Sequence, residues 1–265
     1  MKKESDFSRR NFIKMAGLGV VLPTVSVSVF PAMASADGKS RTAVPDLERV
    51  KGLFAQKEPS VWLFTGDSIT HGAKHTHGFR SYPEIFAERL RWELKRVRDL
   101  VVNTGISGNA TSNILSDFDW RVAQFKPAVV SLMIGTNDCA RKEITPAVFE
   151  QNLISLVGKI RALGAIPILH TPNPIIIQKA PERKTLPDYI PVIRTVAETK
   201  QVILVDNYHH WQTTTDVDVN REWLNDPLHP GARGHQEIAR QMFKALAIFD
   251  PKEPTCGGPY YEGEH

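Results

Sequence analysis

Short apolar runs alternate with longer segments of helical periodicity between residues 59 and 250. Five runs rich in apolar and β-branched residues predict strands, at residues 61–64, 100–103, 127–134, 166–169 and 202–206. Apolar residues recur at helical spacing between them, at residues 81–97, 111–125, 145–163, after Pro187 and from about 234 to 249. Because nearly continuous apolar strands alternate with amphipathic helices, the pattern predicts an α/β fold. We expect a five-stranded parallel sheet with helices on both faces, in a three-layer α/β/α sandwich.

The segments that flank this region carry different patterns. Residues 37–58 are polar and predict a linker with one short helix near residues 46–54. Residues 251–265 are rich in proline and glycine and show no packing pattern, so they predict a loose tail. We therefore place one domain at residues 59–250, with no internal repeat.

The first 36 residues predict an export signal. Arg9 and Arg10 precede a weakly apolar stretch, residues 15–30, and the small residues at 32–36 offer two cleavage sites. This pattern is typical of a bacterial twin-arginine (Tat) signal peptide, and it predicts a periplasmic or secreted protein whose leader meets the Tat export machinery. A membrane anchor is the alternative. It is disfavoured because the stretch is shorter than the roughly 20 apolar residues that span a bilayer.

Charge excludes one class of partner once the leader is set aside. The whole chain carries a net charge of +4. The leader contributes five basic and two acidic residues, a net of +3, so the mature protein is near +1. No basic stripe with interleaved aromatic residues remains, and the sequence therefore predicts no nucleic-acid partner.

Four polar turns stand out against the apolar pattern. Three of them follow predicted strands, at residues 66–68, 105–109 and 135–138, and the fourth, residues 226–230, precedes the last helix. Because the carboxyl ends of parallel strands meet at one edge of a sheet, we expect the first three to lie together. Acyl transfer needs a nucleophile, a base, an orienting acid and donors for an oxyanion, and these turns contain every such group.

In this order the turns resemble the sequence blocks of the SGNH/GDSL hydrolase superfamily. The first block is Gly66-Asp67-Ser68-Ile69, the second is the turn at 105–109, the third is the turn at 135–138, and the last is Asp226 with His229 three residues later. The resemblance implies a flavodoxin-like SGNH-hydrolase fold and a serine esterase that needs no cofactor. It also implies a role for each of five residues. Ser68 would be the nucleophile, His229 the general base and Asp226 the group that orients His229, while the oxyanion hole would comprise the N–H groups of Ser68 and Gly108 and the amide of Asn137.

The residues themselves leave alternatives open at three of these positions. Ser107 also lies in a glycine-rich turn and is a second candidate nucleophile. Gly108 serves as a left-handed turn residue as well as a donor. Asn137 is a candidate cap or loop-shaping residue. The elbow Gly-x-Ser-x-Gly of α/β-hydrolases is absent around Ser68, which argues against that other fold.

Histidines and cysteines raise two further possibilities, a metal site and a disulfide. The histidines that could suggest a metal form no recognisable ligand pair on a regular element, so the sequence predicts no metal; they are His71, His75, His77, His170, His209 and His210. Export would permit a bridge between Cys139 and Cys256, but their spacing does not demand one.

The substrate is less well defined than the chemistry. Export favours a small-molecule or polysaccharide ester of the cell envelope or environment, and a short-chain O-acyl group such as acetyl on carbohydrate is our first expectation. The alternatives are a lipid acyl chain, as for a lysophospholipase or thioesterase, and a non-catalytic carbohydrate-binding protein. The loops at 73–79 and 171–186 show neither a long apolar groove nor a clear sugar platform.

Overall fold

The computed structural model describes residues 45–259, which contain a five-stranded, wholly parallel sheet. The strands are β1 (Val61–Gly66), β2 (Leu100–Asn103), β3 (Val129–Met133), β4 (Ile166–Thr171) and β5 (Ile203–Asp206), in the order β2-β1-β3-β4-β5. The predicted fold class is confirmed. The predicted leader, residues 1–36, and the first part of the predicted linker lie outside the described residues.

Ten α-helices are found in the described part of the chain. They are α1 (Asp46–Ala55), α2 (Ser68–His71), α3 (Tyr82–Glu88), α4 (Thr111–Ser116), α5 (Phe118–Arg121), α6 (Pro146–Ala162), α7 (Leu186–Thr199), α8 (Asn207–Thr213), α9 (Val219–Glu222) and α10 (Ala232–Ala245). None of the helices within residues 45–259 is both long enough and apolar enough to cross a membrane.

The sheet has a hydrophobic core on each face. Alternation along β1 sends Trp62 and Phe64 to one core and Leu63 to the other, as the two-residue period of a strand requires. Helices α4, α6 and α7 cover the Leu63 face, while α1, α3 and α10 cover the opposite one. The two layers of helices exclude water from both faces of the sheet and complete the three-layer sandwich.

Strand order brings the functional turns to one edge. β1 lies between β2 and β3, so the chain crosses to opposite sides of β1, and this reversal is the switch point where open α/β sheets bind their ligands. The end of β1 pairs with the end of β3, Gly66 with Met133. The turns after these two strands therefore start side by side.

Two predicted helices are broken in the structure. The segment at 81–97 is helical only to Glu93, and residues Arg89–Glu93 form a π turn. Val97, at the end of the predicted helix, lies outside it and is 62% exposed. Arg89, the first residue of this π turn, is buried, and its guanidinium donates to the carbonyl of Ile248 and to the carboxylate of Glu93.

The predicted helix at 111–125 is divided into α4, α5 and a 3₁₀ turn. The cause is Arg121, which is fully buried and turned inward. Its guanidinium donates to the carbonyls of Gly66 and Thr104 and to Asn109 Oδ1. Arg121 thus joins the first two functional turns. The chain makes these contacts in place of a continuous helix.

The chain stays packed beyond Asp250, although the sequence there shows no packing pattern. Thr255 and Cys256 are buried, and the Thr255 N–H donates to Glu93 Oε1 at 3.0 Å. Cys139 and Cys256 are both buried free thiols that belong to the cores on opposite faces of the sheet. The permitted disulfide is therefore not formed.

Candidate active site

Ser68 lies at the junction between β1 and α2. Gly66 permits this junction, because a Cβ there would lie 2.2 Å from the carbonyl oxygen of Met133 on β3. Asp67 caps the helix, its Oδ1 accepting from the Ile69 N–H at 2.9 Å. Ser68 is the first residue of α2, so its N–H has no acceptor within the helix. Both its hydroxyl and its N–H are thereby presented at the carboxyl edge of the sheet.

Asp226 and His229 lie in one tight turn before α10. Asp226 Oδ1 accepts from the N–H groups of Leu228 and His229, each at 2.8 Å, which folds the turn so that the ring of His229 returns to the carboxylate. His229 Nδ1 then lies 2.8 Å from Asp226 Oδ2. Burial acts to raise the pKa of Asp226, but these hydrogen bonds outweigh it and the net pKa is lowered.

A continuous chain of hydrogen bonds links the three side chains. His229 Nε2 lies 2.8 Å from Ser68 Oγ. Because His229 Nδ1 faces an ionised carboxylate, the proton of the neutral ring belongs on Nδ1, and Nε2 is left as an acceptor for the Ser68 hydroxyl. The structure therefore joins Ser68, His229 and Asp226 as the sequence predicts. Ser107, the alternative nucleophile, instead has its Oγ 3.1 Å from Nδ1 of exposed His71.

The amide of Asn137 has a defined orientation. Its Nδ2 donates to the carbonyl of Asn109 at 3.0 Å, and its Oδ1 accepts from Arg183 at 3.0 Å. An arginine can only donate and a carbonyl can only accept, so the amide cannot be flipped. One N–H of Nδ2 remains for another acceptor. Gly108 has φ +80°, a left-handed conformation that favours glycine.

These groups border one cleft. It has a volume of about 430 Å³, and its lining includes Ser68, Gly108, Asn137 and His229. Such a volume is within the range of small-molecule sites. The predicted nucleophile, base and oxyanion donors thus share a single cavity at the switch point of the sheet.

The comparison with known proteins agrees with this geometry. Residues 64–237 match the model of the GDSL-like Lipase/Acylhydrolase family. The chain belongs to this family. As a member it is a carboxylic ester hydrolase of the GDSL type.

The chain is also similar to individual esterases. It is 28% identical over 204 residues to an acetylxylan esterase of Geobacillus stearothermophilus, covering 70% of this chain and 93% of that protein. An arylesterase of Vibrio mimicus is 27% identical over 190 residues, covering 69% and 86%. The solved structure of an Axe2 variant, an acetyl xylan esterase from Geobacillus stearothermophilus, has 27% identity and a TM-score of 0.60 over 71% of this chain and 95% of that one.

Two buried carboxylates lie beneath the cleft. Burial raises the pKa of Asp67 to about 7, and the nearby charge of Asp138 adds to the effect. Asp138 accepts from the N–H and hydroxyl of Thr111, yet burial still raises its pKa. These two residues flank Ser68 and Asn137 in the sequence, and their contacts stiffen the turns that carry the site.

The sequence analysis missed several residues of the site. Arg121 and Arg183 lie in segments that gave no functional signal, and only their donation to loop carbonyls and to Asn137 reveals them. The sequence predicts no metal role for His75, and in the structure its ring stacks on His229. Among residues 45–259, no three His, Cys, Asp or Glu side chains are grouped so as to hold a metal ion.

Proposed function

We propose that this protein is an exported serine esterase that cleaves short-chain O-acyl esters, such as acetyl groups on carbohydrate, through an acyl-enzyme on Ser68. His229 is the general base, and Asp226 orients it. The oxyanion donors are the N–H groups of Ser68 and Gly108 and the amide of Asn137. The observation that carries the proposal is the unbroken hydrogen-bond chain from Ser68 Oγ through His229 to Asp226, with both links at 2.8 Å.

Each group has a defined task in the reaction. His229 Nε2 takes the proton of Ser68 as Oγ attacks the ester carbonyl, and the carbonyl oxygen becomes an oxyanion. The imidazolium then returns this proton to the leaving alcohol as the acyl-enzyme forms. Water attacks the acyl-enzyme in the second half, again losing its proton to His229, and releases the acid and free Ser68. The ionised Asp226 stabilises the imidazolium in both halves.

The borders of the cleft support a short acyl chain on a polar alcohol. Lys74, His77 and Arg183 are among the residues that line the cleft, and their N–H groups can donate to the oxygens of a carbohydrate. The lipid acyl-chain alternative would need a long apolar groove, and the loops at 73–79 and 171–186 show none in their sequence. Similarity to acetylxylan esterases supports the same choice of an acetyl ester. A non-catalytic carbohydrate-binding protein is disfavoured, because the proposed nucleophile, base and acid are all present and connected.

Export is the second part of the proposal. It is supported by the twin-arginine pattern at Arg9 and Arg10 and by the small residues at 32–36. Replacing both arginines with lysine should retain the protein in the cytoplasm, whereas the wild type should appear in the periplasm or medium with a new N-terminus near residue 37. Cytoplasmic retention of the wild type would contradict this part alone.

Hydrolysis by the wild type and by Ser68→Ala tests the catalytic proposal. The wild type should release acetate from acetylated xylo-oligosaccharides and from a short-chain chromogenic ester, and should act more slowly as the acyl chain lengthens. Ser68→Ala should lose turnover with little change in melting temperature, since a small hydroxyl at a turn contributes little stability. Full activity in the variant would exclude Ser68 as the nucleophile, and a preference for long acyl chains would favour the lipid alternative.

A further inference from the structure

The ring of His75 covers one face of His229. The two ring centroids are 4.5 Å apart and the planes differ by 17°, so the rings are stacked. His75 is buried, although it lies in the loop between α2 and α3 whose neighbouring residues are mostly exposed. A buried polar ring against the proposed base needs an explanation beyond filling space.

Hydrogen bonds fix the tautomer of this ring. The Tyr82 N–H donates to His235 Nδ1 at 3.2 Å, so the proton of a neutral His235 is on Nε2. That Nε2–H donates to His75 Nε2, also at 3.2 Å, and the proton of a neutral His75 is then on Nδ1. Burial lowers the pKa of His75 to about 4 and that of His235 to about 3, which agrees with two neutral rings.

The loop is folded so as to bury the side chain of His75. Lys74 and His77, on either side of it, both have positive φ, an unfavourable conformation for residues with a Cβ. Thr76 Oγ1 closes the loop by donating to the carbonyl of Gly72 at 2.9 Å. Two unfavourable residues in one short loop indicate that the position of His75 is maintained by the surrounding contacts.

We propose that His75 is a positioning residue for His229. Its neutral ring is a flat wall that restrains rotation of the His229 ring, so that Nε2 stays on Ser68 and Nδ1 stays on Asp226. A wall is needed because the His229 side chain is 22% exposed and lies at the border of an open cleft. This inference rests on the proposed serine esterase chemistry.

The absence of charge on the His75 ring is part of the proposal. The titratable groups that face His75 are His229, Asp226, His71, His77 and His235, and four of these five are histidines. During turnover His229 becomes an imidazolium, and a second cation stacked on it would oppose that step. A neutral His75 supports the orientation of His229 without this repulsion.

Two variants separate the ring from its hydrogen bond. His75→Phe keeps a flat ring against His229 but leaves the His235 Nε2–H without its acceptor. His75→Gln keeps an acceptor within reach of His235 but removes the ring. If the ring restrains His229, kcat should depend on whether residue 75 carries a flat ring. The melting temperature should depend on whether residue 75 accepts the hydrogen bond from His235.

We expect His75→Gln to lose at least about 10-fold in kcat with KM within twofold of wild type, since small misplacements of catalytic groups are costly. His75→Phe should keep most of kcat and melt at a lower temperature. The downfield NMR resonance of the His229 Nδ1 proton should remain sharp in the Phe variant and broaden in the Gln variant. His209→Ala, an exposed histidine outside the cleft, is the control and should match wild type.

Wild-type kcat in His75→Gln would overturn the proposal, and so would equal losses of kcat in both variants. If the Phe variant does not fold, the Gln variant decides alone, through kcat and the proton resonance. Failure of the proposed function is distinct: the wild type would then lack esterase activity, or Ser68→Ala would retain it.

Discussion

Replacement of Asn137 tests the proposed oxyanion hole at the one donor that a substitution can remove. The amide is held by the Asn109 carbonyl and by Arg183, and its remaining N–H is available to an oxyanion in the cleft. Its bond to substrate strengthens only as negative charge develops on the carbonyl oxygen. Asn137→Ala should therefore lower kcat by roughly 10²–10³-fold, or about 3–4 kcal/mol in the barrier, with little change in KM.

Asn137→Asp is the more informative variant, because it keeps the shape of the side chain. One carboxylate oxygen can still accept from Arg183, so the fold should tolerate the change. The other oxygen would face the Asn109 carbonyl and the developing oxyanion, and both contacts would be repulsive. We therefore expect a larger loss of kcat than for Asn137→Ala. The accompanying loss of melting temperature should be small, because the loop stays folded.

The assay is steady-state hydrolysis of a short-chain chromogenic ester, with melting temperature measured on the same preparations. Ser116→Ala, on an exposed helical position outside the cleft, is a suitable control. If Asn137 only shaped its loop, both variants would lower the melting temperature through the lost Asn109 contact, and both would keep most of kcat. An active Asn137→Asp enzyme would thus refute the reasoning and leave the N–H groups of Ser68 and Gly108 as the proposed donors.

Three further predictions concern protons and buried charge. Above pH 5, the rise of kcat/KM with pH should follow a single-proton limb, because burial keeps His75, which is stacked on the general base, uncharged with a pKa of about 4; a two-proton limb in the pH–rate profile would contradict this. Arg121→Ala should lower the free energy of unfolding by about 3 kcal/mol or more in urea melts, because it leaves buried carbonyls unpaired; a change below 1 kcal/mol would contradict this. Burial raises the pKa of Asp67 to about 7, so the ionisation of this group lowers the stability of the fold progressively as pH rises from 4 to 7. Asp67→Asn should remove this part of the pH dependence of the melting temperature, and an unchanged dependence would contradict the prediction.

The parts of the fold that local patterns determine could be predicted from the sequence. Each of the five predicted strands overlaps an observed strand, since a buried parallel strand needs only a short apolar run that ends in a turn. The predicted site residues could be found for a related reason. Ser68 and Asn137 lie in turns directly after β1 and β3, and parallel topology alone brings those strand ends to one edge.

Helix limits were less predictable, because they depend on distant partners. The segment at 81–97 has a good apolar stripe, yet Arg89 within it is bound to the carbonyl of Ile248, 159 residues away. Nothing in the sequence of the segment indicates its contact with Ile248. The packed residues after Asp250 are a similar case, since Thr255 is buried by its contact with Glu93.

Glycine-rich turns explain why arginines complete this site. A turn made of small residues has few side chains with which to pair its own carbonyls, and buried carbonyls need donors. Arg121 supplies them to Gly66 and Thr104, while Arg141 donates to the carbonyl of Gly108. An arginine can meet several carbonyls at once because its five N–H groups are fixed in one plane. The turns therefore need buried or half-buried arginines. The sequence does not show which arginine is used, because Arg121 lies 55 residues from Gly66.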